Sequence, residues 1–106
     1  MPLVHLSGAA RQDLIDHFAY LDEEAGQELA DRFLQAAETC LNLLATQPTM
    51  GSPLRLRSAQ LAGLRKWRIS GFDNVLVFYL PRADGISVIR ILHAAQDWWR
   101  LVGMSD

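Results

Sequence analysis

With 106 residues, half of them hydrophobic and 21% charged, the chain has the size and composition of one ordinary globular domain. We therefore expect a single domain over residues 1–106, which excludes a disordered chain. The longest apolar run, Val75–Leu80, is far too short to span a membrane. The chain starts without the pattern of a secretory signal, and its one cysteine, Cys40, cannot form an internal disulfide, so we expect a cytoplasmic protein.

Charge is distributed unevenly along the chain. Residues 1–53 contain eight acidic and two basic side chains, whereas residues 54–106 contain eight basic and four acidic ones. Five of the ten bases lie between Arg55 and Arg68, which indicates an acidic partner, either nucleic acid or an acidic protein segment. A basic surface that only keeps the protein soluble explains this charge equally well.

The first half of the chain predicts a strand and two helices. Residues 2–6 alternate loosely, as in a short strand. Ser7 can cap a helix over about residues 8–24, where apolar side chains recur every three to four positions. Gly26 can end this helix, and the same spacing predicts a second helix over residues 27–46, which stops before a proline. Since so few residues separate them, the two helices should form an antiparallel hairpin.

The second half predicts strands. Residues 49–62 contain glycine and proline without a clear period, so we expect a loop. Residues 65–69 alternate, which predicts a half-buried strand with a basic outer face. Residues 71–74 and 81–85 have the composition of turns. Between them, residues 75–80 are apolar throughout, which predicts a central strand covered on both faces.

Residues 86–93 predict the last strand of a three-stranded antiparallel meander. Strict alternation groups its side chains as follows: Ile89 and Ile91 on one face, Val88, Arg90 and Leu92 on the other. A strand, a helix hairpin and a meander in this order predict an α+β fold with one sheet, the acidic hairpin on one face and basic groups on the other face or rim.

The sequence offers no recognisable catalytic or metal-binding motif. The histidines His5, His17 and His93 lie on different predicted elements without metal-ligand spacing. No glycine-rich phosphate loop, nucleophile elbow or zinc-protease motif is present. Carboxylates on the first helix, such as Asp13 and Asp16, are expected to form its solvent-facing side. We therefore expect no catalytic residue, no metal site and no cofactor.

Two polar residues of the last strand each allow two interpretations. Arg90, between Val88 and Leu92, must either pair with a carboxylate or carbonyl groups inside the fold or stand where a partner arrives. His93 ends the strand, where its ring either titrates near neutrality or bonds to the backbone of a turn.

Two adjacent tryptophans, Trp98 and Trp99, follow the last strand. In regular structure they point in different directions, so only one should enter the core easily. We expect the other to be exposed, as aromatic side chains in binding sites commonly are.

The ordered segments of the chain resemble one known family. They are LVHLS, AARQDLIDHFAYL, LLATQPTMG, LAGLRKWRI, VLVFYLP and ISVIRILHAAQDW. In this order they resemble, over nearly the whole chain, the ParE branch of the RelE/ParE toxins, the toxin halves of bacterial type II toxin-antitoxin pairs. The resemblance implies the same α+β fold, a role in plasmid stabilisation or growth regulation, DNA gyrase as the target, and a ParD-like antitoxin with a ribbon-helix-helix N-terminus and an acidic C-terminal part.

The RelE-like branch implies a different activity, ribosome-dependent cleavage of mRNA by several Arg and Lys side chains and usually a C-terminal Tyr. Such cations stabilise the charge that develops on the transferring phosphate. Here Asn74 stands where RelE has a basic residue, residues 94–96 (Ala-Ala-Gln) replace a basic pair, and no tyrosine follows His93. The resemblance therefore favours a protein-binding inhibitor over an enzyme.

Two alternatives stay open. The basic residues between Arg55 and Arg68 favour a RelE-like RNase. The loss of basic residues after His93 favours a non-toxic module that binds an antitoxin and helps to autoregulate the operon.

The resemblance and the charges together assign two surfaces. An acidic, unfolded antitoxin tail should gain order on the basic and apolar side of the sheet, which contains Arg65, Trp67, Arg68, Arg82 and Arg90. Target binding or toxicity is expected at the end of the chain, which contains His93, Asp97, Trp98 and Trp99. The toxin should form a hetero-oligomer with the antitoxin, contact DNA only through the antitoxin, and bind no membrane.

Overall fold

The computed structural model describes residues 2–56 and 59–102, except for the side chain of Gln60. In chain order, the elements are β1 (Leu3–Leu6), α1 (Gly8–Ala25), α2 (Gln27–Thr46), β2 (Ser52–Pro53), a 3-10 turn (Ala59–Leu61), β3 (Arg65–Ile69), β4 (Phe72–Arg82), β5 (Gly85–His93) and α3 (Trp98–Leu101). The predicted α+β fold is confirmed. None of the helices in these two ranges is long and apolar enough to cross a membrane.

The predicted helix ends are close to those observed, because their capping residues act as expected. The Ser7 hydroxyl accepts a hydrogen bond from Ala10 N (2.9 Å) and donates one to Ile89 O (2.7 Å), so it caps α1 and fastens it to β5. Gly26 adopts a φ of +96°, which a residue without a Cβ tolerates, and the chain reverses there into α2. These two points fix the helix hairpin over the sheet.

The sheet has five strands in the order β1-β5-β4-β3-β2. The predicted meander β3-β4-β5 is antiparallel, and β1 joins it parallel to β5. The short strand β2 lies within the predicted loop and pairs with β3 at two residues, which is too short to leave a periodic pattern. The turns are shorter than predicted, since only residues 70–71 and 83–84 form them, while β4 takes up residues 72–74 and 81–82 and β5 begins at Gly85.

Two hydrophobic clusters cover the two faces of the sheet. The cluster under the helices contains Phe33, Val77 and Tyr79, which are fully buried. On the opposite face, Phe78 and Leu92 pack with residues from the segment before β3 and with α3. The prediction that β4 is covered on both faces is therefore confirmed.

A β-bulge changes the faces of β5. The register with β4 shifts by one residue at Ile89, which has no partner there. As a result Val88 and Ile91 belong to the cluster under the helices, whereas Ile89 and Leu92 belong to the opposite one. The predicted grouping is wrong because strict alternation does not allow for the extra residue.

Candidate functional site

Arg90 is held by a carboxylate of α1. Its Nε and Nη2 donate to Oδ2 and Oδ1 of Asp13 at 2.8 and 2.9 Å, and Ile91 N donates to the same carboxylate at 2.9 Å. The two side chains are only 26% and 11% exposed. The hydrogen bond with Asp13 raises the pKa of Arg90, against a smaller opposing effect of burial. Of the two interpretations of Arg90, the internal ion pair is the one observed.

The guanidinium of Arg65 also donates hydrogen bonds within its own chain. Its Nη1 donates to Gly51 O at 2.6 Å and to Thr49 O at 3.1 Å. Beneath it, the Tyr79 hydroxyl accepts from Gly51 N (2.9 Å) and donates to Pro48 O (2.7 Å). Burial raises the pKa of this phenol, which the hydrogen bond from Gly51 partly offsets. Arg65 and Tyr79 together hold the 48–51 loop against the sheet.

Trp67 and Arg68 line an open groove of about 440 Å³ between α2 and the β3–β4 turn. The Arg68 guanidinium lies 5.8 Å from the Trp67 ring centroid and 3.7 Å from Oδ1 of Asp73, and both charged side chains are mostly exposed. Arg32 lines the same groove from α2. This groove, called the basic groove below, combines apolar walls with two cations that a partner can reach.

Cys40 also lines the basic groove, but its thiol is protected. The side chain is buried, and its Sγ donates to Arg68 O at 3.7 Å. Burial raises the thiol pKa from 9.0 to about 11, so the reactive thiolate is disfavoured at neutral pH. We interpret Cys40 as a packing residue.

The five residues predicted to bind the antitoxin do not form one surface. Arg65, Trp67 and Arg68 share β3, and the latter two share the basic groove. Arg82 is exposed beside the β4–β5 turn, where its Nε donates to Ser87 Oγ at 3.0 Å. Arg90 is bound to α1 by the ion pair described above. The sequence could not predict that these residues lie apart, because the alternation of side chains along a strand indicates which face of the sheet a residue is on but not where on that face it lies.

The His93 ring bonds to the backbone within a turn, as one of its two interpretations expects. Its Nδ1 accepts from Ala95 N at 3.0 Å, and its backbone N donates to Oε1 of Gln96 at 2.8 Å. Ala94 N donates to Asn74 O at 2.6 Å, so the turn is tied to the start of β4. Since Nδ1 accepts, a neutral ring carries its proton on Nε2.

The two tryptophans pack against each other. Trp98 lies 5.3 Å from the Phe78 ring, and Lys66 Nζ lies 5.0 Å from the Trp98 centroid. Trp99 meets Trp98 edge to face at 5.7 Å, and both are half-buried. Trp98 packs against the core cluster on this face, as expected of one of the two, whereas Trp99 is half-buried and not exposed, because successive residues of the single-turn helix α3 diverge by about 100° and not 180°. Asp97, just before α3, is exposed, as are Arg100 and Leu101 within α3.

Sequence reasoning missed Asp13, which it assigned to the solvent-facing side of α1. Two signals together could have found Asp13. It lies beside the apolar stripe of α1, and Arg90 on the last strand needed a carboxylate partner. Asp16, its predicted companion, is exposed and accepts a hydrogen bond from Gln12. Across residues 2–56 and 59–102, no group of three His, Cys, Asp or Glu side chains could hold a metal ion.

Comparisons with known proteins assign this fold. Residues 4–98 match the family described as "ParE toxin of type II toxin-antitoxin system, parDE". A solved structure titled "Chromosomal ParDE TA system from P. aeruginosa" superposes with a TM-score of 0.70 at 17% identity, covering 88% of this chain and 96% of that one. A conserved hypothetical protein from Helicobacter pylori gives a TM-score of 0.45 at 14% identity, over 91% of this chain and 98% of that one. No curated protein matches the chain.

The fold and the family match define the class, a type II toxin of the ParE/RelE type. Because the match covers most of its length, the chain belongs to the ParE toxin family.

Proposed function

We propose that the chain inhibits DNA gyrase by binding it and is neutralised by a cognate ParD-like antitoxin. The observation that carries this proposal is the match to the ParE toxin family over residues 4–98. The antitoxin would have a ribbon-helix-helix DNA-binding N-terminus and an acidic C-terminal part, so the pair would contact DNA through the antitoxin. The toxin itself would act as a binding protein without a cofactor.

The way the chain uses its cations supports binding over RNA cleavage. Cleavage needs cations that are free to approach a phosphate as charge develops on it. Arg65 and Arg90 instead donate to groups of their own chain, and Lys66 lies over the Trp98 ring. The neutral residues 94–96 after β5 are exposed and supply no charge.

For the antitoxin, the basic groove is the best supported contact. Arg68 and Arg32 are exposed there, beside the apolar surface of Trp67, and an acidic segment would neutralise both cations as it buries apolar groups. Arg65, on the same strand as Trp67 and Arg68, would extend this contact, whereas Arg82 beside the β4–β5 turn would make a separate one. Arg90 would contribute less, since its guanidinium is already paired with Asp13.

A charge reversal tests this contact. Arg68→Glu should weaken binding of the antitoxin much more than Arg11→Glu, a control on the exposed surface of α1. Arg68 is a better choice than Arg65 or Arg90, because its side chain is 62% exposed and its loss should leave the fold intact. Equal effects of the two reversals would refute the assignment.

We propose that gyrase is contacted by the C-terminal end of the described chain. His93 lies on a fixed turn, Asp97 is exposed after it, and Trp98 and Trp99 form a half-buried aromatic pair beside them. Aromatic side chains with polar neighbours are typical of residues that anchor protein interfaces. Asp97→Ala should reduce inhibition of gyrase without lowering the melting temperature, whereas an unchanged inhibition would remove Asp97 from the contact.

Induction of the chain without its antitoxin tests the whole proposal. We expect growth arrest, a DNA-damage response and no new mRNA ends at ribosomal A sites. Growth arrest with A-site cleavage would instead assign the RelE-like RNase activity. Normal growth with retained antitoxin binding would assign the non-toxic module, which the neutral residues 94–96 favour.

A further inference from the structure

The outer edge of β1 is unpaired within the described residues. β1 is the last strand of the sheet and pairs only with β5. Leu3 N donates to Asp84 O at 2.7 Å and Ser7 N to Val88 O at 3.0 Å, so alternate residues bond inward. The backbone N–H and C=O groups of Val4 and Leu6 therefore point away from the sheet. Unpaired strand edges of this kind accept a further strand.

An apolar groove of about 430 Å³ runs beside this edge, between β1, α1 and α2. The residues that line it are Val4, Leu6, Leu14, Leu34, Ala37, Glu38, Leu41 and Asn42. Within this groove, Leu34 is 41% exposed. A free backbone edge thus lies next to apolar surface that is open to solvent, the combination by which sheet edges bind extended peptides.

We propose that an extended segment of a protein partner binds here as a sixth strand beside β1. Its backbone pairs with Val4 and Leu6, its alternate apolar side chains enter the groove, and a basic side chain lies opposite Glu38. This partner differs in charge from the acidic tail proposed for the basic groove. The inference is independent of the proposed function, because it rests on the edge, the groove and their charge alone.

Charge decides between a partner and a second copy of the chain. α1 and α2, which flank the groove, contain all eight acidic residues of the first half of the chain and only two bases. Two copies that paired through β1 would bring two acidic hairpins together, which is unfavourable. A basic and apolar segment meets no such repulsion, and Glu38 at the groove gives it a specific counter-charge.

A random peptide library displayed on phage and selected against the purified chain tests this inference. We expect enriched peptides to alternate apolar residues and to carry Lys or Arg. Bound peptides should protect the amides of Val4 and Leu6 from hydrogen exchange. Leu34→Arg should weaken the selected peptides by about tenfold or more, as the loss of an apolar anchor does. Leu43→Arg is the matched control, because Leu43 lies on the same helix, is 43% exposed and lines the basic groove instead.

The charge reversal Glu38→Lys gives a second test at an exposed position, where the fold should not be affected. It should weaken the same peptides, whereas Glu28→Lys near the start of α2 should not. The inference is overturned if no peptide is enriched, if the enriched peptides are acidic, or if Leu34→Arg and Leu43→Arg weaken them equally. Self-association of the free chain that Leu34→Arg abolishes would assign the edge to a second copy and also overturn it.

Discussion

Replacement of Asp13 by alanine should destabilise the protein more than any other single change of an acidic residue on α1. The Asp13 carboxylate accepts two hydrogen bonds from Arg90 and one from Ile91 N. Without it, the guanidinium of Arg90, whose side chain is only 26% exposed, and the backbone N–H of the buried Ile91 lose their partner together. The ion pair also links α1 to β5, next to the hydrogen bond between His17 Nε2 and Ile91 O at 3.0 Å.

The expected loss follows from these two groups. A hydrogen bond to a charged group contributes about 1.5–3 kcal/mol, and an unsatisfied buried donor costs about 1–3 kcal/mol. Because water partly reaches Arg90, the lower end applies to the guanidinium, so each group contributes about 1.5 kcal/mol and the total is about 3 kcal/mol. In a domain of this size, 1 kcal/mol lowers Tm by roughly 4 °C, so Tm should fall by about 12 °C.

Thermal and urea unfolding of Asp13→Ala, Arg90→Ala and the double variant measure this loss. Asp16→Ala is the control, since Asp16 is exposed on the same helix and should change the free energy of unfolding by less than about 0.5 kcal/mol. The double variant should lose clearly less than the sum of the single variants, because the two residues share one interaction. A loss below about 1 kcal/mol for Asp13→Ala, or strict additivity, would refute the structural role of the pair.

Three further changes probe the loop and the buried thiol. Tyr79→Phe should lower the free energy of unfolding by about 1–3 kcal/mol and speed hydrogen exchange at Gly51, because Gly51 N and Pro48 O lose their partner. The control Tyr20→Phe, at a residue that is 64% exposed, should leave the free energy of urea unfolding unchanged. Gly51→Ala should lower Tm by several degrees, since its new Cβ would lie 2.5 Å from the Tyr79 hydroxyl oxygen; an unchanged Tm would contradict this. The pKa of Cys40 rises from 9.0 to about 11 on folding, so the unfolded state ionises first and stability should fall between these pH values by up to about 1.4 kcal/mol per pH unit. Cys40→Ala should show a smaller alkaline loss in urea unfolding measured across this pH range, and an identical loss would refute the assignment to the thiol.

The elements of the fold were predictable because short-range signals specify them. Ser7 and Gly26 fix the helix ends through local hydrogen bonding and backbone freedom, and the apolar run of β4 indicates burial on both faces. The parallel pairing of β1 with β5 was not predictable in this way. It joins residues about eighty positions apart, and no local pattern encodes that contact.

The candidate site was less predictable, since it depends on which side chains already have partners. From the sequence alone, Arg65 and Arg90 look like two free cations. In the structure, Arg65 donates to backbone carbonyl groups and Arg90 pairs with Asp13. The bulge at Ile89 further changes which residues of β5 share a face. Trp99 was misplaced because a single helical turn was not expected after the last strand.

Supercoiling of relaxed plasmid DNA by purified gyrase, with increasing amounts of this chain, tests the central claim most directly. A ParE-type inhibitor should block ATP-dependent supercoiling, and addition of the cognate antitoxin should restore it. Full supercoiling activity in an excess of folded chain, together with cleavage of mRNA on purified ribosomes, would contradict the claim.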